Sequence, residues 1–429
     1  MNLDLTNALW IQPDHALHGE TCRIIIRKGS IESVEKMSGK AGKTSAKRGV
    51  KTWDVEGAFV SAGWWDCKAE LRDPGHETAE TLKTGMDAAA QGGFTRIAPS
   101  PRTSPAVDGK AALDFLRQQA QNHVVGLLPL GCVSAGGEGK NLAELFDMRQ
   151  AGAVAFSDDA PLDHPELLRR ALEYVKPVNG VVYAEAAEHA FQADGVVHEG
   201  TVSTQLGLAG IPVEQETMRL ERDLAIARYT GGRLHIPVIS SAAALELIRA
   251  AKADGVSVTC GTAAHHLCFD HQQLLNFNSD FKTSPPLREA SDREALVQGL
   301  IDGTIDVLCS DHRPRNPEEH DADFTLVRPG IAGLHATAVA AAGALQEAGL
   351  SGLQAAEVLH QSLVDGPRKL LGESATQTTQ AELTIFTTDG PSDLPAAASK
   401  AANTLYGVHS ALLAGCVLGV ITPGGLHRN

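Results

Sequence analysis

What this chain of 429 residues lacks narrows its class before any motif is read. No apolar run approaches the roughly 18 residues of a membrane span, so a membrane protein is not expected. The start, Met1-Asn2-Leu3-Asp4, has no basic region leading into an apolar core. No secretory signal is therefore expected, and a cytoplasmic location is. Basic charge is in deficit: 37 Lys and Arg stand against 52 Asp and Glu, a net charge of −15. Such a balance argues against nucleic acid or an anionic membrane surface as the main partner. The seven cysteines are odd in number, scattered, and never spaced as CxxC. They read as reduced thiols, neither a disulfide framework nor a zinc knuckle. Low-complexity segments are absent. The glycine-rich run Ala135-Gly136-Gly137-Glu138-Gly139 lacks the Lys-Ser/Thr that would follow in a phosphate-binding loop, so it reads as a barrel loop.

What is present is an ordinary globular composition, 43% hydrophobic and 21% charged. The length fits a barrel of about 250–330 residues plus a second module. Both ends of the chain read as β-structure. Residues 22–36 form two short strands around Gly29, residues 51–57 add another, and residues 381–388 and 416–425 are similar. Between them, short apolar runs alternate with segments whose apolar residues recur at i, i+3 and i+4. Eight candidate strands result: 58–65, 95–100, 124–133, 152–158, 180–186, 234–241, 257–266 and 305–312. Eight β/α repeats predict an α/β TIM barrel with its site at the C-terminal ends of the strands. The predicted domains are a barrel over 58–371 and a small β-sandwich from 1–57 plus 372–429. The stretches 373–380 and 389–400 read as linkers.

The most informative segment is Gly63-Trp64-Trp65-Asp66-Cys67-Lys68-Ala69-Glu70-Leu71-Arg72-Asp73-Pro74-Gly75. Further motifs follow in order. They are Gly92-Gly93-Phe94-Thr95, Phe156-Ser157-Asp158-Asp159, Lys282-Thr283-Ser284-Pro285-Pro286-Leu287-Arg288, Ser310-Asp311-His312-Arg313-Pro314-Arg315 and Pro329-Gly330-Ile331-Ala332-Gly333-Leu334. Together they resemble dihydroorotases of the cyclic amidohydrolase superfamily, over nearly the whole chain. The resemblance implies an amidohydrolase-type barrel. It also implies one or two zinc ions at the mouth that bring a bound water to near-neutral pKa, an Asp that shuttles protons, and an Arg–Asn clamp on the substrate carboxylate.

Against that pattern the ligands are missing. Where the family has Asp-x-His-x-His, the two histidine positions are Lys68 and Glu70; two more are Tyr183 and Val238. The clamp Asn is Arg102, and Ser284 and Arg315 replace an Asn and a His. Arg72, the acidic pair Asp158-Asp159 and Asp311 remain. Lysine cannot bind zinc while protonated, and carboxylates without imidazole make a poor zinc site. No metal or other cofactor is therefore expected. Asp311 reads as a catalytic remnant, and Arg72 and Arg102 as remnants of substrate binding. Lys68 is expected to pair with Asp311 or Asp158 where a metal would stand, and Tyr183 and Val238 to be packing replacements. His265-His266 and His235 read as structural. Cys67, by strand alternation, is expected to face away from the mouth.

The resemblance then implies a catalytically inactive dihydroorotase-like protein of pyrimidine biosynthesis, a structural partner of aspartate transcarbamoylase in a hetero-oligomer, with self-association also open. The alternative is an active dihydroorotase or related cyclic amide hydrolase with a rebuilt metal site, for which zinc would be expected. The connection 188–212, long for a barrel loop, is the first candidate for partner contact.

Overall fold

A computed structural model describes residues 1–37, 49–192, 194–372, 380–390, 396–404 and 413–429, together with 392 and 394. The expected linker 373–380 lies almost wholly outside these residues.

Strands from both ends of the chain meet in one sheet. Its path runs Gly425–Arg428, Val417–Thr422, Leu383–Phe386, Phe59–Ala62, Leu3–Ile11, Thr21–Arg27 and Ser30–Lys36, with Lys51–Asp54 pairing on Leu3–Ile11. Thr21–Arg27 buries alternate residues, Cys22, Ile24 and Ile26, as a strand with one covered face must. Its hairpin to Ser30–Lys36 closes through Lys28 and Gly29, both at positive φ (51° and 81°), the mirror-image turn that suits strand twist. Leu3–Ile11, central to the sheet, escaped the sequence reading because LDLTNALWI neither alternates nor runs apolar throughout.

The barrel strands are Trp64–Ala69, Phe94–Pro99, Gly126–Leu127 continued by Leu130–Gly131, Ala155–Phe156, Val181–Tyr183, Arg233–Ile236, Val258–Ala263 and Val307–Cys309. Their pairing is parallel, and the first and last are joined by a bridge between Ala69 and His312. This is the expected α/β barrel with a sandwich built from the termini. Two expected strands need correction. Residues 58–65 are not one strand: Phe59–Ala62 joins the terminal sheet, and the first barrel strand starts at Trp64. Residues 257–266 end as a strand at Ala263, and His265 and His266 lie on the short helix Ala264–Cys268.

Helices wrap the barrel with their apolar faces inward. Ala242–Ala253 starts at Ser241, whose hydroxyl accepts from the Ala244 amide at 3.2 Å, satisfying an otherwise orphaned donor. Thr337–Glu347, alanine-rich and buried nearly all round, fits between its neighbours because its side chains are small. Buried Glu382 ties barrel to terminal sheet: it accepts from the Trp65 indole and the Thr95 hydroxyl, each at 2.7 Å. No helix among the described residues is long and apolar enough to cross a membrane.

Candidate functional site

The mouth is assembled from strand ends. Asp66, fully buried in the first strand, ties that strand to the end of the last one. It accepts from the Ser310 amide at 3.0 Å, from the Ser310 hydroxyl, and from the Lys68 amide at 3.3 Å. Burial pushes this carboxyl up to about 6 against the opposing bonds from Ser310. An acid whose folded value exceeds the unfolded value of about 3.9 stabilises most fully below the latter. That contribution, up to about 3 kcal/mol, is lost as pH rises through about 6. Asp66→Asn is thus expected to flatten the fall in stability between about pH 4 and 6 in urea titrations. Asp223, also raised to about 6 by burial, keeps part of the slope. An unchanged pH profile would show that Asp66 does not titrate there.

Two residues on, Lys68 reaches into the mouth with only 10% of its side chain exposed. Its ammonium donates to Asp159 at 2.7 Å and to Glu185, and Asp311 lies at 3.9 Å. Asp158, named as a possible partner, does not take part: it accepts instead from the amide and hydroxyl of Ser134. Burial raises Asp158. Burial also pushes Asp159 upward, but Lys68 and then Arg313 outweigh it and hold that carboxyl well below the usual range. Asp159 has a further partner in the Ser100 hydroxyl at 2.7 Å.

A second cation at the mouth, half-buried Arg313, was not singled out in the sequence although it stands where the resembling motif has Ala. Its Nε donates to Asp311 at 3.0 Å, and its Nη1 lies 3.8 Å from Glu70. Asp311 is raised, by burial first, with Arg313 and Lys68 opposing. Arg315 holds Glu70 at 3.2 Å and two of its nitrogens donate to the Pro329 carbonyl. Arg72 sits 3.3 Å from both Glu70 and Glu319, so it is engaged in ion pairs; Asp73 instead accepts from the Leu82 amide at 3.0 Å. Arg102, exposed, lines a cavity of about 580 Å³ shared with Arg72, Arg313, Arg315 and Arg328. Three mouth residues, Arg72, Asp159 and Asp311, adopt positive φ of 61°, 47° and 42°. Non-glycine residues held there mark backbone shaped by its surroundings, a frequent feature of functional loops.

Tyr183 and Cys67 are buried in one cluster in the barrel interior below the mouth. Cys67 therefore does not face away as alternation predicted. The pairing with the second strand slips between Asp66 and Ala69, which breaks the strict period of two. Burial pushes its thiol well up, so it is no nucleophile. Val238 packs with Ala263 and Cys309. His235 is a core histidine whose Nδ1 meets the Thr259 hydroxyl at 2.9 Å. His265 is lowered to about 3 by burial and then Arg313; both it and His266 are buried and away from the mouth cavities. The connection 188–212 is not a bare loop: it carries helices His189–Gln192 and Thr201–Leu206 and paired strands Val197–His198 and Gly210–Ile211.

The donors present do not fit the zinc that the resemblance implies. Two carboxylates that could serve as ligands, Asp159 and Glu185, are taken by an ammonium, Asp311 faces a guanidinium, and the imidazole positions carry Lys68, Glu70, Tyr183 and Val238. What the arrangement does chemically is neutralise buried carboxylates with cations of the chain itself.

Fold and strand-end site together define an amidohydrolase-type barrel protein. Solved structures share this fold: an L-hydantoinase (dihydropyrimidinase) from Arthrobacter aurescens superposes with a TM-score of 0.83, covering 99% of this chain and 95% of that one at 20% identity. A D-hydantoinase does so at 0.80, also at 20% identity and with the same coverage. A family model described as dihydro-orotase-like matches residues 57–244. A protein named dihydroorotase from Pelotomaculum thermopropionicum is 40% identical over 374 residues, 86% of this chain and 87% of its own length. Another of that name, from Citrifermentans bemidjiense, is 41% identical over 292 residues, 68% of this chain and 69% of its own. The chain belongs to the dihydroorotase family.

Proposed function

We propose that this chain is a dihydroorotase-family protein of pyrimidine biosynthesis that no longer performs metal-assisted hydrolysis and acts as a structural partner of aspartate transcarbamoylase. The observation that carries the non-catalytic half is the Lys68 ammonium between Asp159 and Glu185, at the mouth position where the family's chemistry would need a dication. The barrel's packing and outer surface do not depend on those ligands, so the fold is free to serve in assembly. The partner rests on the family resemblance alone.

A second reading has its own support. The relatives at 40% and 41% identity are named as dihydroorotases, which favours an active dihydroorotase or related cyclic amide hydrolase with a rebuilt site more directly than it favours an inactive one. Two measurements separate the readings. Dihydroorotate turnover, assayed with the purified chain and added zinc, is expected to stay at background. Light scattering of a mixture with the aspartate transcarbamoylase of the same source is expected to give a stable hetero-oligomer. Zinc-dependent turnover would overturn the first reading in favour of the second, and two unassociated species would remove the partner.

A further inference from the structure

Between the strands Leu383–Phe386 and Val417–Thr422 of the terminal sheet, residues 396–404 leave that sheet and run along the barrel to its mouth. Expected in part as a linker, the stretch is instead tied down at three successive places. First, Gln91, at the end of the helix Leu82–Gln91, grips it: the side chain donates to the Ala396 carbonyl at 3.1 Å and accepts from the Ala398 amide at 2.8 Å. Next, fully buried Glu80 accepts from the Ser399 hydroxyl and from the Lys400 amide at 3.3 Å. On the other side of that carboxylate, His312 Nε2 stands 3.4 Å away, so Glu80 joins the stretch to the end of the last barrel strand. Last, the Ala402 amide donates to the Arg315 carbonyl at 2.9 Å, and the Asn403 carbonyl accepts from the Ala332 amide at 3.1 Å.

Asn403 is the residue of this stretch that is fully buried. Its Nδ2 donates to the Arg313 carbonyl at 2.9 Å and to the Gly330 carbonyl at 2.8 Å, and its Oδ1 accepts from the Arg315 amide at 3.0 Å. One carboxamide thus spends both donors and its acceptor on two loops at once. An aspartate would face the same two carbonyls without a donor, and a leucine would offer neither donor nor acceptor. The backbone so held carries Arg313 and Arg315, whose guanidiniums lie 3.8 Å and 3.2 Å from Glu70 at the mouth. The fastening is almost wholly polar. Within 396–404, Ala398 alone packs against the barrel core, and only in part. A segment held by hydrogen bonds with little buried apolar surface opens at far lower cost than the barrel beneath it.

We propose that residues 396–404 are a strap that opens and closes as one unit, with Asn403 as its positioning residue. Closed, the strap holds Arg313 and Arg315 against the mouth carboxylates. Open, it releases the backbone of 313–315 and with it both guanidiniums. The terminal sheet thereby acts on the charge arrangement of the mouth through one short segment, in addition to the fixed contact at Glu382.

Two readings on the full chain test this: hydrogen exchange resolved to single amides, and phenylglyoxal labelling of arginines located by mass spectrometry. Asn403→Ala is expected to speed exchange of the Arg315 and Ala332 amides by about tenfold or more. Labelling of Arg315, whose side chain is 6% exposed, is expected to rise with it. The amides of the barrel strand Val181–Tyr183 and the labelling of exposed Arg102 are expected to keep their wild-type rates. Gln91→Ala separates a strap from a local contact, because it cuts only the attachments at Ala396 and Ala398. It is expected to speed the Arg315 and Ala332 amides as well, by about threefold or more. Should Asn403→Ala not fold, Gln91→Ala and Ser399→Ala carry the test with the same two readings. Unchanged exchange and labelling in these variants overturns the proposal. So does a rise confined to Asn403→Ala, which would make Asn403 a local packing contact. A rise in Gln91→Ala that extends to Val181–Tyr183 also overturns it, since that is opening of the whole barrel. Neither reading uses dihydroorotate or a partner protein, so the result does not depend on whether the chain hydrolyses the one or binds the other.

Discussion

Replacing Lys68 by methionine is expected to lower the unfolding free energy by about 3–5 kcal/mol at pH 7.5, the range for breaking a buried ion pair by removing one partner. Methionine keeps the length and most of the volume, so cavity formation adds little. What is lost is the cation between Asp159 and Glu185 with Asp311 close by, in a pocket where the lysine side chain is 10% exposed and solvent screens poorly. The pH dependence gives a second reading of the same loss. Asp159 is held below its ordinary value in the wild type, so its contribution is present above the unfolded value of about 3.9 and fades as pH falls through the folded one. The variant lacks that contribution. Its deficit should therefore be greatest near neutrality and shrink in acid as the freed carboxylates take up protons. Urea unfolding at pH 7.5 and pH 4 measures both. A deficit below about 1 kcal/mol at pH 7.5, the worth of a screened surface pair, would mean that Lys68 does not stand in for a buried dication.

The second large effect concerns what keeps a metal out. Restoring imidazole at all four positions (Lys68→His, Glu70→His, Tyr183→His, Val238→His) is expected to leave zinc binding at the mouth weak, and adding Arg313→Ala to strengthen it by at least about tenfold. Arg313, with only 15% of its side chain exposed, bears on both Asp311 and Asp159. A unit positive charge about 5 Å from a dication is repelled by roughly 6–7 kcal/mol at an effective dielectric of about 20, and a small part of that is tenfold in affinity. Zinc titration of the two variants, each shown to be folded by circular dichroism, measures the difference. Equal affinities would show that the missing imidazoles alone account for the mouth, and that Arg313 is a bystander.

Much of this was legible along the chain. Eight apolar runs separated by helical periodicity are a one-dimensional pattern, and a parallel barrel leaves that pattern because each strand is buried on both faces and each crossover is a helix. The loss of ligands could be read position by position, since Lys68, Glu70, Tyr183 and Val238 fall inside motifs of fixed order. The legible part failed where geometry departs from its regular period. Cys67 turned inward because the strand slips by its pairing partner, and His265-His266 left the strand because Ala264 begins a helix. Leu3–Ile11 carried too mixed a pattern to be seen without its neighbours.

Fold class, family and the side-chain types at the mouth were readable from the linear order of residues, because each of those depends on residues near one another in the chain or on motifs in order. Which charge meets which emerged when the chain folded. Lys68 pairs with Asp159 and Glu185, 91 and 117 residues away, and Arg313 is drawn into the same network. Coulomb attraction and desolvation act through space, falling with distance in Å, and separation in sequence says nothing of that distance until the strands have closed into a barrel.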